Sequence, residues 1–422
     1  MPALPDACGM DFGTSNSTAA CALASASGPT SLLALEDGKP TLPSVVFFHA
    51  DDGQISYGRA ALANYLAGHE GRLMRSLKSL LGTSLINGQT EVAGRALPFR
   101  DLLAQFIGEL KRRAEQAASR PLSRVVIGRP VFFVDGDAAA DRQAENTLAE
   151  IARAVGWREI EFQYEPIAAA FAYEASITRE ELVLVVDIGG GTSDFALVRL
   201  APERAQRADR RADILASTGV HIGGTDFDKY LSLACVMPLL GLGSKLKNGL
   251  EQPSAPYFNL ATWHTINFAY TKKVGAQIKD MQRDAQDKDK LARLQSLVSE
   301  RAGHWLAMQV EEAKIALSGA EQTRIDLGRI SPDETLLLQR PDFDLAISAL
   351  VDTVAQTVAG LLHDAGLAAS AVDTVFFTGG ASSVPLLRER IAALLPHARR
   401  VEGDLLGSIG TGLALDAMRK FG

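Results

Sequence analysis

The chain holds 422 residues, 47% apolar and 22% charged. Those proportions exclude a disordered or fibrous chain and leave room for roughly two to three folding units. Its 43 basic and 50 acidic residues sum to a formal charge of −7, which argues against general nucleic-acid binding. No unbroken apolar run approaches the roughly 18 residues of a membrane helix. With no Lys or Arg before Lys39, the basic start of a secretory leader is lacking, so the small-residue stretch Thr18 to Ser27 is not read as a cleavage region. Cys8, Cys21 and Cys235 are odd in number and have no CxxC spacing, which fits buried thiols in a reducing, cytoplasmic setting. HExxH, GxSxG and GxxxxGK[ST] are all missing, so zinc-peptidase, serine-hydrolase and P-loop chemistries lack local support.

In chain order, the first strong signal is Asp11-Phe-Gly-Thr-Ser15, between two apolar stretches. Asp101 to Ala118 carries Leu102, Leu103, Phe106, Ile107 and Leu110 at helical spacing. Val125 to Ile127 predicts a strand ending at Gly128 and Pro130, and Asp141 to Val155 a helix. Glu165 to Glu174 predicts another helix, with Pro166 in its first turn. Leu182 to Val186 is a short β-branched run, the pattern of a buried strand. It leads into Asp187-Ile-Gly-Gly-Gly-Thr-Ser193, a second copy of the first turn, and then the strand Phe195 to Val198. The arginines Arg204, Arg207, Arg210 and Arg211 stand among acidic residues and read as a hairpin tip. Asp226 to Ser318 is mainly helical, broken by a loop from Gly241 to Pro256, with Lys272 to Gln295 a densely charged, solvated helix face. A strand at Val375 to Phe377, a turn at Thr378 to Ser383 and a helix from Val384 to Leu395 follow.

Two turns built alike, each led by a carboxylate after a buried strand, point to phosphate chemistry. Glycines let backbone N–H groups converge on an anion without Cβ clashes. Thr14, Ser15, Thr192 and Ser193 add hydroxyl donors, and Asp11 and Asp187 suit a hydrated Mg²⁺, which keeps several waters beside few carboxylates. The Gly379-Gly380 turn before a helix suits the sugar or anionic part of a nucleotide, or is a plain βα turn. Gly223-Gly224 is equally open, since Thr225 or Asp226 can cap the next helix.

Taken together, Met10 to Ser17, Glu165 to Tyr173, Asp187 to Asp194, Gly223 to Asp228, Glu312 to Lys314 with Leu317-Ser318, and Gly379 to Pro385 resemble the nucleotide-binding domain of the DnaK-type, 70-kDa heat-shock chaperone family. That family lies within the actin and sugar-kinase superfamily. The segment Leu233 to Ala307, with Met237 to Gly241 and Trp263-His264, resembles the short YegD-type branch. The resemblance implies an actin-like α/β fold with two lobes and a nucleotide cleft. Lobe I would be residues 1–178, completed by a C-terminal helix over 401–422. Lobe II would be 179–400, with a helical subdomain over about 223–340.

The resemblance also implies roles. Asp11 and Asp187 would hold Mg²⁺ through water. Gly13, Thr14 and Ser15 on one turn, and Gly189, Gly190, Gly191 and Thr192 on the other, would cradle the phosphates of ATP or ADP. Lys78 would be the catalytic lysine, with Glu165 and Asp194 the other polar groups near the attacking water, and Asp187 and Thr192 completing the catalytic set. Gly223, Gly224, Glu311, Lys314, Ile315, Ser318, Gly379, Gly380, Ser383 and Asp404 would face the adenosine. Pro130 and Arg142 resemble the chaperone's interdomain switch pair, at longer spacing because of Asp135 to Ala140. Ile315 and Ser383 stand where the family places adenine-facing arginines, so cation–π stacking is lost there. The chain stops at Gly422, so the linker and peptide-binding domain are expected to be absent, and with them the unfolded-peptide site. The expected function is an ATP-hydrolysing, chaperone-like conformational switch acting on an unknown protein partner or cochaperone, with no nucleic acid or membrane involved. A small-molecule kinase and a non-hydrolysing nucleotide sensor or filament protein are the rivals.

Overall fold

The computed structural model describes residues 5–23, 30–92, 94–205, 207 and 209–422. The end of the small-residue stretch, from Ala24 to Ser27, lies outside the described residues. The chain forms two compact units. The first is Met1–Gly223 with Thr353–Ser382 and Leu387–Gly422; the second is Gly224–Asp352 with Ser383–Leu386.

The first unit is built on two sheets. Strands β1 (Ala7–Asp11), β2 (Asn16–Cys21), β3 (Arg124–Arg129) and β4 (Glu159–Tyr164) form one sheet in the order β4-β3-β1-β2, extended by Ser31–Leu32. Thr41–Pro43 also pairs with β2. Strands β5 (Glu181–Ile188), β6 (Ser193–Leu200), β7 (Ile214–Val220), β8 (Thr374–Thr378) and β9 (Arg399–Glu402) form the other, in the order β9-β8-β5-β6-β7. Each sheet has the same sense: two parallel neighbours on one side of a central strand, and an antiparallel hairpin on the other. Continuous apolar runs form the central strands because both faces are covered; every residue of β5 and of β1 is buried.

Helices α1 (Phe99–Ala118) and α2 (Ala138–Ala154) lie before and after β3, and α3 (Glu165–Glu174) follows β4. α2 starts three residues before the expected Asp141, because the Asp137 carboxylate accepts the N–H groups of Ala139 and Ala140 and caps it there. α3 has the predicted bounds, with Pro166 in its first turn. Cys8 and Cys21 are cross-strand partners in β1 and β2, and both are buried, free thiols; Cys235 is half-buried and also free.

In the second unit, α4 (Gly224–Leu231) runs on through a π turn, Ser232–Val236, and a 3₁₀ turn, Met237–Leu240. The charged stretch forms two helices, α5 (Lys272–Asp284) and α6 (Lys288–Ser299). They bury only a thin apolar line, including Ile278, Met281, Leu291 and Leu294. Helix α7 (Gly303–Gly319) and the hairpin Gln322–Asp326/Thr335–Gln339 complete the unit.

Helix α8 (Arg340–Asp364) crosses the boundary between units. By length and composition it is apolar enough to cross a bilayer, which a search for unbroken runs passes over because Asp352 interrupts it. Its buried residues Phe343, Ile347, Val351, Val354, Val358 and Leu361 recur every three or four positions, the stripe of a helix packed on one face.

After α9 (Pro385–Leu394) the chain departs from the sequence expectation. The helix expected over 401–422 is confined to α10 (Ser408–Phe421). Arg399–Glu402 instead pairs in parallel with β8 as β9, and the Asp404 carboxylate turns the chain by accepting the N–H groups of Leu406 and Gly407 at 3.1 and 3.0 Å. α10 packs on α3 at backbone contact: a Cβ on Gly412 would lie 1.7 Å from the Ala168 carbonyl oxygen.

Candidate functional site

The β1–β2 and β5–β6 turns meet within the first unit. A Cβ on Gly190 would lie 2.4 Å from Ser15 Oγ and 3.2 Å from Thr14 Cβ, and one on Gly191 would lie 3.0 Å from Thr14 Oγ1. Thr14 and Ser15 therefore face Gly190 and Gly191 directly, while Gly13 lies against the Asn16 backbone of its own turn. The first turn is held from outside: Ser44 Oγ donates to the Gly13 carbonyl at 2.7 Å, and Ser44 N–H donates to the Ser15 carbonyl at 2.9 Å. The second is closed by Gly189 N–H donating to the Thr192 carbonyl at 2.9 Å. Gly223 backs it so closely that a Cβ there would come within 2.6 Å of Gly191 N. Side chains are thus cleared from a concavity edged by backbone and small hydroxyls, the arrangement that suits phosphate oxygens.

Beneath the turns lie four buried carboxyls and one buried ammonium. Lys78 projects from the 3₁₀ turn Leu77–Leu80, entered through Ser76 in the left-handed region at φ 59°, and donates to Glu165 Oε1. Glu165 reaches it from the first turn of α3. Asp187 and Asp194 are directly opposed across β5 and β6. Asp194 Oδ1 accepts the Val131 N–H at 2.6 Å.

Electrostatics follow from burial. Burial pushes the Asp11 carboxyl up to about 7, with Glu165 adding to the rise and Lys78 opposing it. Burial and Glu165 likewise push Asp194 up to about 7, against the Thr192 and Val131 hydrogen bonds and Lys78. Asp187 is raised well above its ordinary value by burial and by Glu165, Asp194 and Asp11. Burial alone would lower the Lys78 ammonium, but Glu165 and Asp11 outweigh it and hold it above its ordinary value. One lysine cannot neutralise four carboxylates, so the site favours additional positive charge.

A hydrated magnesium ion fits this donor set. Asp187 Oδ1, Asp194 Oδ2 and Thr378 Oγ1 are buried without a hydrogen-bond partner, and such atoms are costly unless a ligand or water reaches them. Among the described residues no three His, Cys, Asp or Glu side chains converge as a direct ligand set. Coordination through water, with few carboxylates, is the usual habit of Mg²⁺. Asp11 and Asp187 would hold it.

The residues expected to face adenosine fall in both units, and each unit presents its own set. In the second, Lys314 is committed: its Nζ forms an ion pair with Asp228 Oδ1 at 2.8 Å and donates to the Gly224 carbonyl at 3.2 Å. Glu311, Lys314 and Ser318 lie along one side of α7, and Ser318 Oγ donates back to the Lys314 carbonyl at 3.3 Å. Ile315 is 62% exposed and Ser383 half-buried. In the first unit, Gly379 has φ +78° and sits on the β5 end, where a Cβ would meet Asp187 Oδ1 at 2.6 Å. Gly380 is exposed, and the Asp404 carboxylate is engaged in its own turn.

Three participants escaped sequence reasoning. Val131 acts through its backbone N–H, and no side-chain pattern records that. Thr378, the parallel partner of Asp187, reads in the sequence only as the first residue of the turn after a strand, and the strand in fact includes it. Asp228 is visible in Gly223-Gly-Thr-Asp-Phe-Asp228, but its partnership with Lys314 is a tertiary fact. Pro130 precedes the Asp194 contact, whereas Arg142 is exposed on α2 and the buried Arg129 beside Pro130 holds Asp141 and Glu145 instead.

Comparison with known proteins agrees with this geometry. A family model described as Hsp70 protein matches residues 85–237 and 278–412. The chain is 28% identical over 435 aligned positions to a protein named chaperone protein HscA from Citrobacter koseri, an alignment covering 98% of this chain and 58% of that protein. The chain therefore spans well under two thirds of that relative's length. With the model matched over more than half its residues, this chain belongs to the Hsp70 family, and its α/β fold is the actin-like one of that family.

Proposed function

We propose that this chain binds Mg·ATP against the two facing turns and hydrolyses its terminal phosphate, as an ATP-driven, chaperone-like conformational switch. The observation that carries this reading is the group of four buried carboxyls around Lys78 directly beneath a turn pair of glycines and small hydroxyl residues. Such a group is ill-suited to a purely structural role, because unpaired buried charge destabilises. Magnesium would neutralise phosphate charge. Lys78 Nζ offsets the negative charge that grows on the transferring group, and Glu165 holds that ammonium in place. The turn N–H groups fix the phosphate orientation. Asp187, with Oδ1 uncommitted, and Asp194 orient the attacking water, Asp194 being anchored by Val131 N–H. Catalysis of this kind is positioning plus charge stabilisation.

The named relative is a chaperone. A protein partner or cochaperone and a cytoplasmic setting belong to the same proposal, as do the two lobes, 1–178 and 179–400. Phosphate release from Mg·ATP tests it. Lys78→Ala and Thr192→Ala are each expected to slow release about a hundredfold, in the range seen when one transition-state donor is removed, while nucleotide still binds. Equal turnover in wild type and both variants overturns the assignment. Binding with no release in the wild type turns the reading to a sensor.

A further inference from the structure

Cys8 on β1 and Cys21 on β2 are directly opposed across the first hairpin, and the whole of its phosphate turn lies in the loop between them. Opposed residues of an antiparallel pair project to the same face. Here that face lies in one core with Phe106, Leu110 and Ala114 of α1. The pair is of the narrow kind. The Ala19 carbonyl accepts the Leu33 N–H at 2.8 Å, and the Ser15 carbonyl accepts the Ser44 N–H at 2.9 Å, so the backbone groups of these residues point away from β1. Backbone direction alternates along a strand, so Cys21 points its own groups the same way, and Cys8 and Cys21 form a non-hydrogen-bonded pair. Such pairs have Cα atoms about 4.5 Å apart, inside the range of about 4.4–6.8 Å that a disulfide spans.

The two thiols are free and buried, yet they differ. Burial and the neighbouring Cys21 push the Cys8 thiol up. Burial also pushes the Cys21 thiol up, but Arg120 opposes it. Arg120 Nη2 donates to Cys21 Sγ at 3.5 Å, and a guanidinium beside a sulfur favours the thiolate. Cys21 is therefore the better nucleophile of the two. A raised thiol reacts slowly, so the pair stays reduced until a strong, small oxidant reaches it.

We propose that Cys8 and Cys21 are an oxidisable dithiol, which a hydroperoxide converts to a disulfide that staples the two strands of the first phosphate hairpin. The Cys21 thiolate attacks a peroxide oxygen; the O–O bond breaks, hydroxide leaves, and Cys21 becomes a sulfenic acid. The Cys8 sulfur then attacks the Cys21 sulfur, the S–O bond breaks, and water leaves with the Cys8 proton. Two thiols and one hydrogen peroxide thus give one disulfide and two waters. Because the opposed geometry already suits the link, the turn residues keep their places, and the closed loop chiefly restricts the unfolded chain. The proposal does not rest on the hydrolytic reading above.

The test uses the whole chain carrying Cys235→Ser, which removes links through the third thiol, with hydrogen peroxide as oxidant. After alkylation in denaturant, peptide mass mapping is expected to find Cys8 and Cys21 joined to each other, and dithiothreitol to restore both thiols. The oxidised chain should unfold about 5 °C higher than the reduced one and keep its Mg·ADP affinity within twofold. With Cys8→Ser the reaction should stop at the Cys21 sulfenic acid, which dimedone traps; with Cys21→Ser, Cys8 should take up little dimedone. Peroxide that leaves Cys8 and Cys21 unlinked in the folded chain overturns the proposal. So does a link that leaves the unfolding midpoint unchanged or weakens Mg·ADP tenfold. Phosphate release enters none of these measurements, so a chain that hydrolyses nothing can still carry the staple, and failure of the staple leaves the hydrolytic proposal standing.

Discussion

Loading the site with Mg·ADP should expel protons, and the number can be worked from the buried carboxyls. With midpoints at about 7, Asp11 and Asp194 each hold about half a proton at pH 7 when no cation is present. Asp187 is raised well above its ordinary value in the same way, by burial and by Glu165, Asp194 and Asp11. A divalent cation nearby stabilises the ionised forms, so roughly one to two protons should leave per nucleotide bound. Calorimetric titration in two buffers of different ionisation enthalpy reads that number directly. At pH 9 Asp11 and Asp194 are already ionised, and the release should shrink. Stability carries the same signature. For an acid whose folded midpoint lies above its unfolded one, the folded state binds more protons between the two, so stability falls as pH rises through that window. The window here opens near the ordinary carboxylate value of 3.8 and extends to about 7 for Asp11 and Asp194. The nucleotide-free protein should therefore lose thermal stability from pH 5 to pH 8, and saturating Mg·ADP should flatten that slope. Binding heat at pH 7 that is identical in the two buffers would refute the reasoning, because it would mean that these carboxyls are already ionised or do not sense the cation.

Three substitutions test other parts of the structure. Gly412→Ala places a Cβ against the Ala168 carbonyl, a backbone atom that cannot swing aside. Denaturant unfolding should show a loss of about 3 kcal/mol, the upper part of the overpacking range, and an unchanged midpoint would mean that α10 does not pack on α3 as described. Arg210→Ala strands Glu174, which is fully buried and takes both guanidinium nitrogens at 2.7 Å, so a cost of about 3–5 kcal/mol is expected from the same experiment. A loss below 1 kcal/mol would show that neighbouring Arg419 takes over the pair. Ser383→Arg should tighten ADP by roughly 0.5–2 kcal/mol through stacking on the base; unchanged affinity in a nucleotide titration would place the adenine elsewhere.

What the sequence disclosed is what side chains encode locally. Leu182 to Val186 announced a strand because a segment buried on both faces has no room for polar residues. The two Asp-led turns announced themselves because glycines and small hydroxyls follow the carboxylate in the same order in both. Arg399–Glu402 announced nothing: Arg-Arg-Val-Glu has neither alternation nor apolar length, and it becomes a strand only because the edge of β8 offers backbone partners. The same holds for the arginine cluster. The hairpin tip is where it was expected, since β6 and β7 pair on either side of it. Yet Arg210 is buried, because Glu174 and Asp213 are delivered to it from elsewhere in the chain. Charge density in sequence describes solvation only when no distant partner intervenes.

The repeated strand order explains why Asp11 and Asp187 stand at matching places in their two sheets. Asp11 ends the central strand of its sheet and Asp187 stands one residue before the end of its own, and each pairs with the residue seven positions on, so each carboxylate stands at the same place relative to its own turn. The parallel neighbours then diverge. In the second sheet, β8 ends in Thr378-Gly379, which backs directly onto Asp187. In the first, β3 passes through Gly128, against which Glu165 packs, and continues as Arg129-Pro130-Val131 to donate an N–H to Asp194 on the other sheet. One pseudo-equivalent strand end thus seats a carboxylate of its own sheet, and the other anchors a carboxylate of its neighbour. Movement of the loop after β3 would be felt at Asp194 through one 2.6 Å hydrogen bond. That loop is also tied to His221 through Asp135, whose Oδ1 meets His221 Nδ1 at 2.8 Å, so it is held at both ends to the strands that carry Asp194 and its neighbours.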